Sequence, residues 1–412
     1  MSKGNRRDVL RREPHYEIAI FIMLILAFLF SAPDIQHLNQ WTSIYYVLSY
    51  ADFGFQSRLV IGSVIRLFTS YVSTRLIYTI ITVFSVLFIV FVSLTLGRIA
   101  RNISKNAGVS AEILIVIFIA CPVAVQYLFN INNYGRFDLF SIVLTVCMLF
   151  CIKSRRAKWL VPALCALAVI LNFNYVFMYL PVLAVAMICE YVTENKSKTR
   201  LLILILSCAL SVALFIYFKS FAYSSDFKSI EEVKAYLGGI TDVQGGETQV
   251  FYDLCYPLAK FYHRGTQTTY EWFFDLLMKY GLYMLFSTGP VFTVFIAFWL
   301  KAAKNARRKL KRAVLMLCLL APAASLPMFL AIDWDRWVPT LFLSQFMLVL
   351  YFIASNDIDA AAALASLKKY FNRHSLLFAV LVLYSASSVF SNSYSVYVSV
   401  LSKYIDDFLS LA

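Results

Sequence analysis

Three short segments of the sequence combine charged, amide and aromatic side chains between long apolar runs. The most compact is DWDRW, a short link that contains Asp333, Trp334, Asp335, Arg336 and Trp337. Indole rings offer a flat apolar face, carboxylates accept hydrogen bonds from hydroxyls, and a guanidinium holds a phosphate through two parallel hydrogen bonds. The segment therefore predicts a site for a sugar that carries a phosphate. The alternative is an aromatic belt with a local ion pair.

The second segment is NINNYGRFD, residues 130–138, at the end of an apolar run. A tight polar turn would account for its asparagines and glycine. It would not account for an arginine and an aspartate so close to the next apolar run, where an unpaired charge is costly. We predict that Asn133, Tyr134 and Arg136 contact substrate and that Asp138 is a candidate catalytic acid or base.

The third segment is ADFGFQSR, residues 51–58, in which Asp52 and Arg58 flank a turn that contains Gly54. Glycine permits a tight backbone, and Arg58 could hold a phosphate or a carboxylate. Asp52 is then a candidate base. The alternative is an ion pair between Asp52 and Arg58 that only fixes the loop.

The composition places these segments in a membrane protein. Apolar residues make up 61% of the chain and charged residues 15%, and the mean hydropathy is +0.72. A water-soluble protein of 412 residues could not carry this composition without a very large exposed apolar surface. The net charge of +14 comes from clusters of Lys and Arg between the apolar runs, which indicates topology and not a nucleic-acid partner.

The apolar runs predict an all-α bundle of about eleven spans. The runs begin near residues 16, 76, 109, 139, 159, 176, 201, 276, 313, 338 and 375. The whole chain, residues 1–412, is predicted to be a single integral membrane domain with long outer loops at 33–75 and 220–270. Residues 33–75 contain aromatic and aliphatic residues at helical spacing, as in interfacial helices. The runs near 139 and 159 are short, so a re-entrant hairpin is the alternative there.

The basic clusters predict the orientation, because cytoplasmic loops retain Lys and Arg. The N-terminal tail, residues 1–15, then lies in the cytoplasm and the C-terminus outside. All three polar segments fall on the outer face. Lys219, Lys260 and Arg264 are predicted chiefly as a solvated surface, with pyrophosphate binding at the membrane surface as the alternative.

Metal binding is not predicted. The cysteines lack zinc-site spacing and offer no disulfide framework. Asp333 and Asp335 form a D-x-D pattern, which in soluble glycosyltransferases suggests a metal and a nucleotide sugar. Nucleotide sugars are cytoplasmic, whereas this segment is predicted outside. The alternative is a divalent cation that bridges a lipid-linked phosphate.

The layout resembles the GT-C class of membrane glycosyltransferases, which have a long first outer loop with acidic residues and further Arg and Asp on the same face. The segments ADFGFQSR, NNYGRFD and DWDRW are also similar to recurring motifs of bacterial multi-pass proteins of polysaccharide biosynthesis. The resemblance implies a polyprenyl-phosphate sugar donor and a first-loop acid as base or metal ligand. That acid would be Asp34 or Asp52, and Asp52 is preferred because Arg58 accompanies it. The adjacent acidic pair common in that class is absent.

We therefore expect an inverting membrane glycosyltransferase that moves a sugar from a polyprenyl-phosphate donor to a glycan or lipid-linked acceptor. A bacterial inner membrane follows from the resemblance. The candidate bases are Asp52, Asp138, Asp333 and Asp335, and the candidate phosphate-binding residues are Arg58, Arg136 and Arg336.

Three rival functions stay open. A polysaccharide polymerase would use a lipid-pyrophosphate glycan at the same face and would depend on the same arginines. A transporter or flippase for lipid-linked sugars would need charges near the middle of the membrane and along both faces, whereas the candidates here cluster on one side. A non-catalytic assembly protein would tolerate single changes of the outer Asp and Arg residues.

Overall fold

The computed structural model describes residues 15–107, 115–116, 126–130, 133–193, 197–256, 289–330, 334–389 and 398–399. These residues form an all-helical structure apart from one antiparallel pairing of two-residue strands, β1 (Ser388–Val389) with β2 (Val398–Ser399). The predicted all-α class is therefore confirmed. The run predicted near 109 lies largely outside the described residues, as do the first part of the run near 276, up to residue 288, and nearly all of the N-terminal tail.

Seventeen α-helices in the described chain are numbered here in chain order. Their bounds are α1 Tyr16–Ser31, α2 Gln40–Ser43, α3 Tyr50–Phe53, α4 Val60–Arg66, α5 Thr74–Ala107, α6 Asp138–Lys153, α7 Val161–Leu171, α8 Tyr175–Met178, α9 Leu180–Thr193, α10 Lys198–Ser220, α11 Ile230–Ile240, α12 Glu247–Val250, α13 residues 289–305, α14 Lys309–Leu320, α15 Trp334–Ala354, α16 Ile358–Arg373 and α17 Ser375–Ser387. The described chain also contains 3-10 helices at Ile35–His37, Ile44–Tyr46, Gln126–Phe129, Ala157–Leu160 and Ala321–Leu330. A π-helix is formed by Phe251–Cys255.

Three helices in the described part of the chain are long and apolar enough to cross a membrane: Thr74–Asn102 within α5, Lys198–Ser220 and Arg336–Ala354. They differ in position. The Arg336–Ala354 window is 89% buried and forms the centre of the bundle, whereas the Lys198–Ser220 window is 22% buried and lies at its edge. Several other apolar runs form shorter helices. The run near 176 is divided between α8 and α9, and the run near 313 passes into a 3-10 helix that contains Pro322.

Helix α6 has charged residues at both ends, and these ends define the two ends of the bundle. Its last residue, Lys153, lies 3.5 Å from Glu190, which also accepts a 2.6 Å hydrogen bond from the Tyr351 hydroxyl. Arg200 donates to the carbonyl of Ile152 at 2.9 Å. We call this the basic end. Four helices thus meet there through charged and polar side chains.

The opposite end, where α6 begins at Asp138, is here called the motif end. The two long segments predicted as outer loops pack together there. Phe53 stacks on Phe227 at 5.0 Å between ring centroids, and Val72 forms a parallel bridge with Thr241. Helix α11 is capped by Ser229, whose hydroxyl accepts from the backbone N–H of Glu232. Of the two helical stretches predicted within 33–75, LVIGSVIRLF contains α4, and TSIYYVLSY is divided between the end of α2 and a 3-10 helix. Helix α3 lies mostly in ADFGFQSR, which was predicted as a turn.

Gly62 sets the distance between α4 and the preceding turn. A Cβ at this position would lie 2.0 Å from the Leu48 carbonyl oxygen and 2.9 Å from that of Tyr45. Backbone atoms cannot move aside as a flexible side chain can, so only glycine permits this approach. The contact fixes the segment that carries Tyr45.

Candidate functional site

The Ser57-Arg58 turn is attached to the end of α7 by several hydrogen bonds. The backbone N–H of Arg58 donates to the Ile170 carbonyl at 2.8 Å. The Ser57 hydroxyl donates to the Val169 and Ile170 carbonyls at 3.1 Å and accepts from the Phe173 N–H at 3.1 Å. Arg58 has φ +74°, one of two positive values for non-glycine residues in the described chain. This conformation costs about 1–2 kcal/mol, so the surrounding hydrogen bonds hold it in place.

The strained backbone directs the Arg58 side chain between two aromatic rings and an acid. Its Cζ lies 4.6 Å from the centroid of Phe173 and 5.3 Å from that of Tyr45. Its Nη1 lies 3.6 Å from Oδ2 of Asp253. The alternative of an ion pair between Asp52 and Arg58 is not what the described residues form: Arg58 pairs with Asp253, and Asp52 accepts from the Ser49 hydroxyl at 2.5 Å.

Asp253 belongs to the π-helical turn that follows α12. Its Oδ2 accepts from the Tyr45 hydroxyl at 2.5 Å and from Gln249 Nε2 at 2.8 Å. Burial raises the pKa of the Tyr45 phenol, and the nearby charge of Asp253 raises it further. The phenol therefore stays protonated and donates to the carboxylate. The Asp253 side chain is still 39% exposed.

Lys219, in the last turn of α10, adds a second cation. Its Nζ lies 3.7 Å from the centroid of Phe173, so Lys219 and Arg58 both contact that ring. A cavity of about 50 Å³ is lined by these three residues together with Tyr45 and Asp253. The cavity thus holds two cations and one carboxylate against aromatic walls. This combination suits an anionic group, because cations near aromatic rings are partly desolvated and attract an anion strongly.

Asp138 and Arg336, from the second and the first polar segments respectively, form a buried ion pair. Arg336 Nε donates to Asp138 Oδ2 and Arg336 Nη2 to Oδ1, both at 2.5 Å. Asn172 Nδ2 donates to Oδ1 at 2.7 Å. Asp138 has no exposed surface and Arg336 is 4% exposed. Both carboxylate oxygens are thus occupied in this conformation, and a direct catalytic role for either residue stays a prediction.

The ion pair is supported by its neighbours. The Cζ of Arg336 lies 4.8 Å from the ring centroid of Trp337, which is itself buried. The Arg336 carbonyl accepts from the Thr340 hydroxyl at 2.9 Å. Asn172 is followed directly by Phe173, so one short turn contacts both the ion pair and the cationic cavity. The three polar segments therefore meet at the motif end, as two adjoining clusters.

The other predicted site residues have different surroundings. Tyr134 is fully buried, and its hydroxyl forms a 2.7 Å hydrogen bond with Thr82. Asn133 is buried in the same turn, and Arg136 is half-buried. Substrate contacts of these residues stay predictions, since Tyr134 and Asn133 are packed in the interior in this conformation.

Asp333 and the side chains of Trp334 and Asp335 lie outside the described residues, so the D-x-D pattern is not located. Within the ranges that the structure describes, no group of three or more His, Cys, Asp or Glu residues is arranged to hold a metal ion.

Sequence reasoning missed Asp253, Tyr45 and Phe173. Asp253 lies in the aromatic-rich stretch VFYDLCYP, and an acid among so many aromatic residues was the available signal. Lys219 was predicted chiefly as solvated surface, but the structure gives it a position in the cavity wall.

Comparisons with known proteins leave the function to be inferred from these residues. No family model, curated protein or solved structure matches the chain.

Proposed function

We propose that this protein is a membrane glycosyltransferase that moves a sugar from a polyprenyl-phosphate donor to a glycan or lipid-linked acceptor. The observation that carries the proposal is the cavity at the motif end, in which Arg58 and Lys219 adjoin the carboxylate of Asp253. Phosphate binding and proton removal are the two functions that such a transfer requires of its protein groups.

Arg58 and Lys219 are the proposed phosphate-binding residues. The Arg58 guanidinium and the Lys219 ammonium both lie over the ring of Phe173, and both residues line the cavity. Together with the Asp253 carboxylate they give the cavity a net charge of +1. This charge favours a singly charged phosphodiester donor. A cation preorganised in this way stabilises the negative charge that develops on the departing phosphate.

Asp253 is the proposed general base. Its contacts with Tyr45, Gln249 and Arg58 in the described chain are all made by Oδ2. Oδ1 is therefore available to an acceptor hydroxyl. Asp52, the base preferred from the resemblance, does not line the cavity. It is therefore a less suitable base than Asp253.

The transfer changes no oxidation state, so the proposed reaction needs no redox cofactor. Asp253 takes the proton of the acceptor hydroxyl as that oxygen attacks the anomeric carbon. The bond between the anomeric carbon and the phosphate oxygen breaks, and its electron pair leaves with the polyprenyl phosphate. Attack opposite the leaving group inverts the anomeric configuration.

The proposal includes a bundle of about eleven spans in a bacterial inner membrane, with a cytoplasmic N-terminus and the cavity on the outer face. The membrane location is supported by three helices of the described chain that are long and apolar enough to span a membrane. The span count and the inner membrane remain part of the proposal. So does the orientation, in which the end that carries Lys153, Arg155, Arg156 and Arg200 faces the cytoplasm.

A polysaccharide polymerase is the second candidate, because two adjacent cations could also hold a pyrophosphate. The donor separates the two functions. Purified full-length protein would be incubated with an acceptor lipid extract and either a radiolabelled polyprenyl-monophosphate sugar or a polyprenyl-pyrophosphate oligosaccharide. Transfer from the monophosphate alone supports the glycosyltransferase, and transfer from the pyrophosphate alone supports the polymerase.

The same assay tests the base. Asp253→Asn should lower the transfer rate by about 10²–10⁴-fold, the usual contribution of a general base. Asp226→Asn is the matched control, since Asp226 is an exposed acid in the same outer segment. No transfer by the unaltered protein with either donor, or full activity of Asp253→Asn, would contradict the proposal.

A further inference from the structure

A second cavity, of about 150 Å³, lies between α5, α6 and α15. Its lining is almost entirely apolar and includes Phe91 on α5, Leu149 and Phe150 on α6, and Phe346 and Met347 on α15. Phe150 is 54% exposed, so the cavity reaches the outside of the bundle as a groove. An apolar cavity of this size excludes water and takes up hydrocarbon.

The groove is elongated along the helices. Its lining on α5 runs from Phe88 to Ile99 and on α6 from Ile142 to Lys153. At a rise of 1.5 Å per residue each stretch spans roughly 16 Å. Half of a hydrocarbon layer of about 30 Å is roughly 15 Å. The groove therefore has the length of one leaflet.

Polar groups gather at one end of the groove. Lys153, Tyr351 and Ser355 line that end, and Thr95, one turn before Ile99 on α5, is the remaining polar lining residue. The Nζ of Lys153 lies 3.5 Å from both Glu190 Oε1 and the Ser355 carbonyl, and the side chain is 42% exposed. Arg155 and Arg156 follow in an exposed turn.

We propose that the groove binds one acyl chain of an anionic phospholipid, with its phosphate headgroup at Lys153, Arg155 and Arg156. The length of the groove matches one leaflet, and the basic residues complement an anionic headgroup. A peptide helix, about 10 Å or more in diameter, is too wide for a cavity of this volume. The site lies at the basic end, opposite the cationic cavity, and does not depend on the proposed transfer reaction.

Photo-crosslinking tests this site directly. The full-length protein would be reconstituted in phosphatidylcholine vesicles that contain phosphatidylglycerol with a diazirine on one acyl chain, and the labelled peptides identified by mass spectrometry. The same diazirine chain on phosphatidylcholine is the comparison probe. The phosphatidylglycerol probe should label peptides of α6 and α15 at least fivefold more than the phosphatidylcholine probe.

Variants identify the groove and the headgroup contact. Val146→Trp fills the groove and should lower the labelling of α6 and α15 at least tenfold. Leu206→Trp, on the exposed face of α10, is the matched control and should leave that labelling within twofold. Lys153→Gln should reduce the ratio of labelling by the phosphatidylglycerol probe to labelling by the phosphatidylcholine probe to less than twofold. If Val146→Trp fails to fold, Ala354→Phe fills the basic end from an exposed lining position.

Three results would overturn the proposal. Labelling that is the same for both headgroups would exclude the basic residues as a headgroup site. Labelling unchanged by a folded groove-filling variant would place the acyl chain elsewhere. Labelling of α6 and α15 by either probe that does not exceed the labelling of the exposed face of α10 would show that no acyl chain occupies the groove.

Discussion

The Arg336 guanidinium and the Asp138 carboxylate form two hydrogen bonds of 2.5 Å, although the residues are 198 positions apart in the sequence. Neither side chain has appreciable exposed surface. Breaking such a pair leaves one charge buried without compensation, whereas replacing both partners removes that cost. The ion pair joins the start of α6 to the start of the central helix, α15.

Arg336→Met and Asp138→Leu should each destabilise the protein by about 3–5 kcal/mol. The double variant should be less destabilised than the sum of the two single changes, because it leaves no unpaired charge. Thermal unfolding of the purified variants in one detergent measures this double-mutant cycle. Additive single effects would show that the two side chains do not depend on each other.

Lys219→Gln should weaken donor binding about tenfold, equivalent to roughly 1.4 kcal/mol. The reason is the loss of one of two cations that line the cavity, while Arg58 still contacts Phe173. Binding of a polyprenyl-phosphate sugar to the purified protein would be measured by quenching of intrinsic fluorescence. The control is Lys228→Gln, an exposed lysine outside the cavity, and equal effects of the two variants would argue against a phosphate site.

Tyr45→Phe should lower the transfer rate about tenfold, equivalent to roughly 1.4 kcal/mol. Burial and the nearby charge of Asp253 raise the pKa of the Tyr45 phenol, so the hydroxyl stays neutral in the neutral range and donates to Asp253 at 2.5 Å. Removing the hydroxyl takes away one of the contacts that hold the Asp253 carboxylate in position. The transfer rate of the purified variant, at saturating donor, tests this role. A rate equal to that of the unaltered protein would limit Tyr45 to a packing role.

Gly62→Ala should destabilise the protein by several kcal/mol and reduce the yield of folded material, because the new Cβ would lie 2.0 Å from the Leu48 carbonyl oxygen. Gly239→Ala provides the contrast. Gly239 lies in α11 with nothing within 4 Å of a new Cβ, and alanine should stabilise the helix by about 0.5–1 kcal/mol. Melting temperatures of both variants in the same detergent would be compared. A neutral Gly62→Ala would show that α4 can move away from the Tyr45 segment.

The apolar pattern predicted the helical class correctly but not the continuity of the helices. Hydropathy averaged over a run does not report where the helix is interrupted. The run near 176 breaks at Tyr179 between α8 and α9, and the run near 313 tightens into a 3-10 helix at Ala321, next to Pro322. Proline lacks the N–H that an α-helix needs. Only three described helices therefore reach spanning length.

The sequence by itself determined the all-helical class, the membrane-like composition and the residue types available for chemistry, because composition and local periodicity are properties of neighbouring residues. It also indicated that Arg58, Asp138 and Arg336 are unusual, since each is a charge beside an apolar run. Only the tertiary structure decided their partners. Arg58 faces Asp253 rather than Asp52, and Arg336 faces Asp138. Each of these partners is distant in the sequence. Such side chains come together only when the helices pack, because packing decides which helix ends lie next to each other.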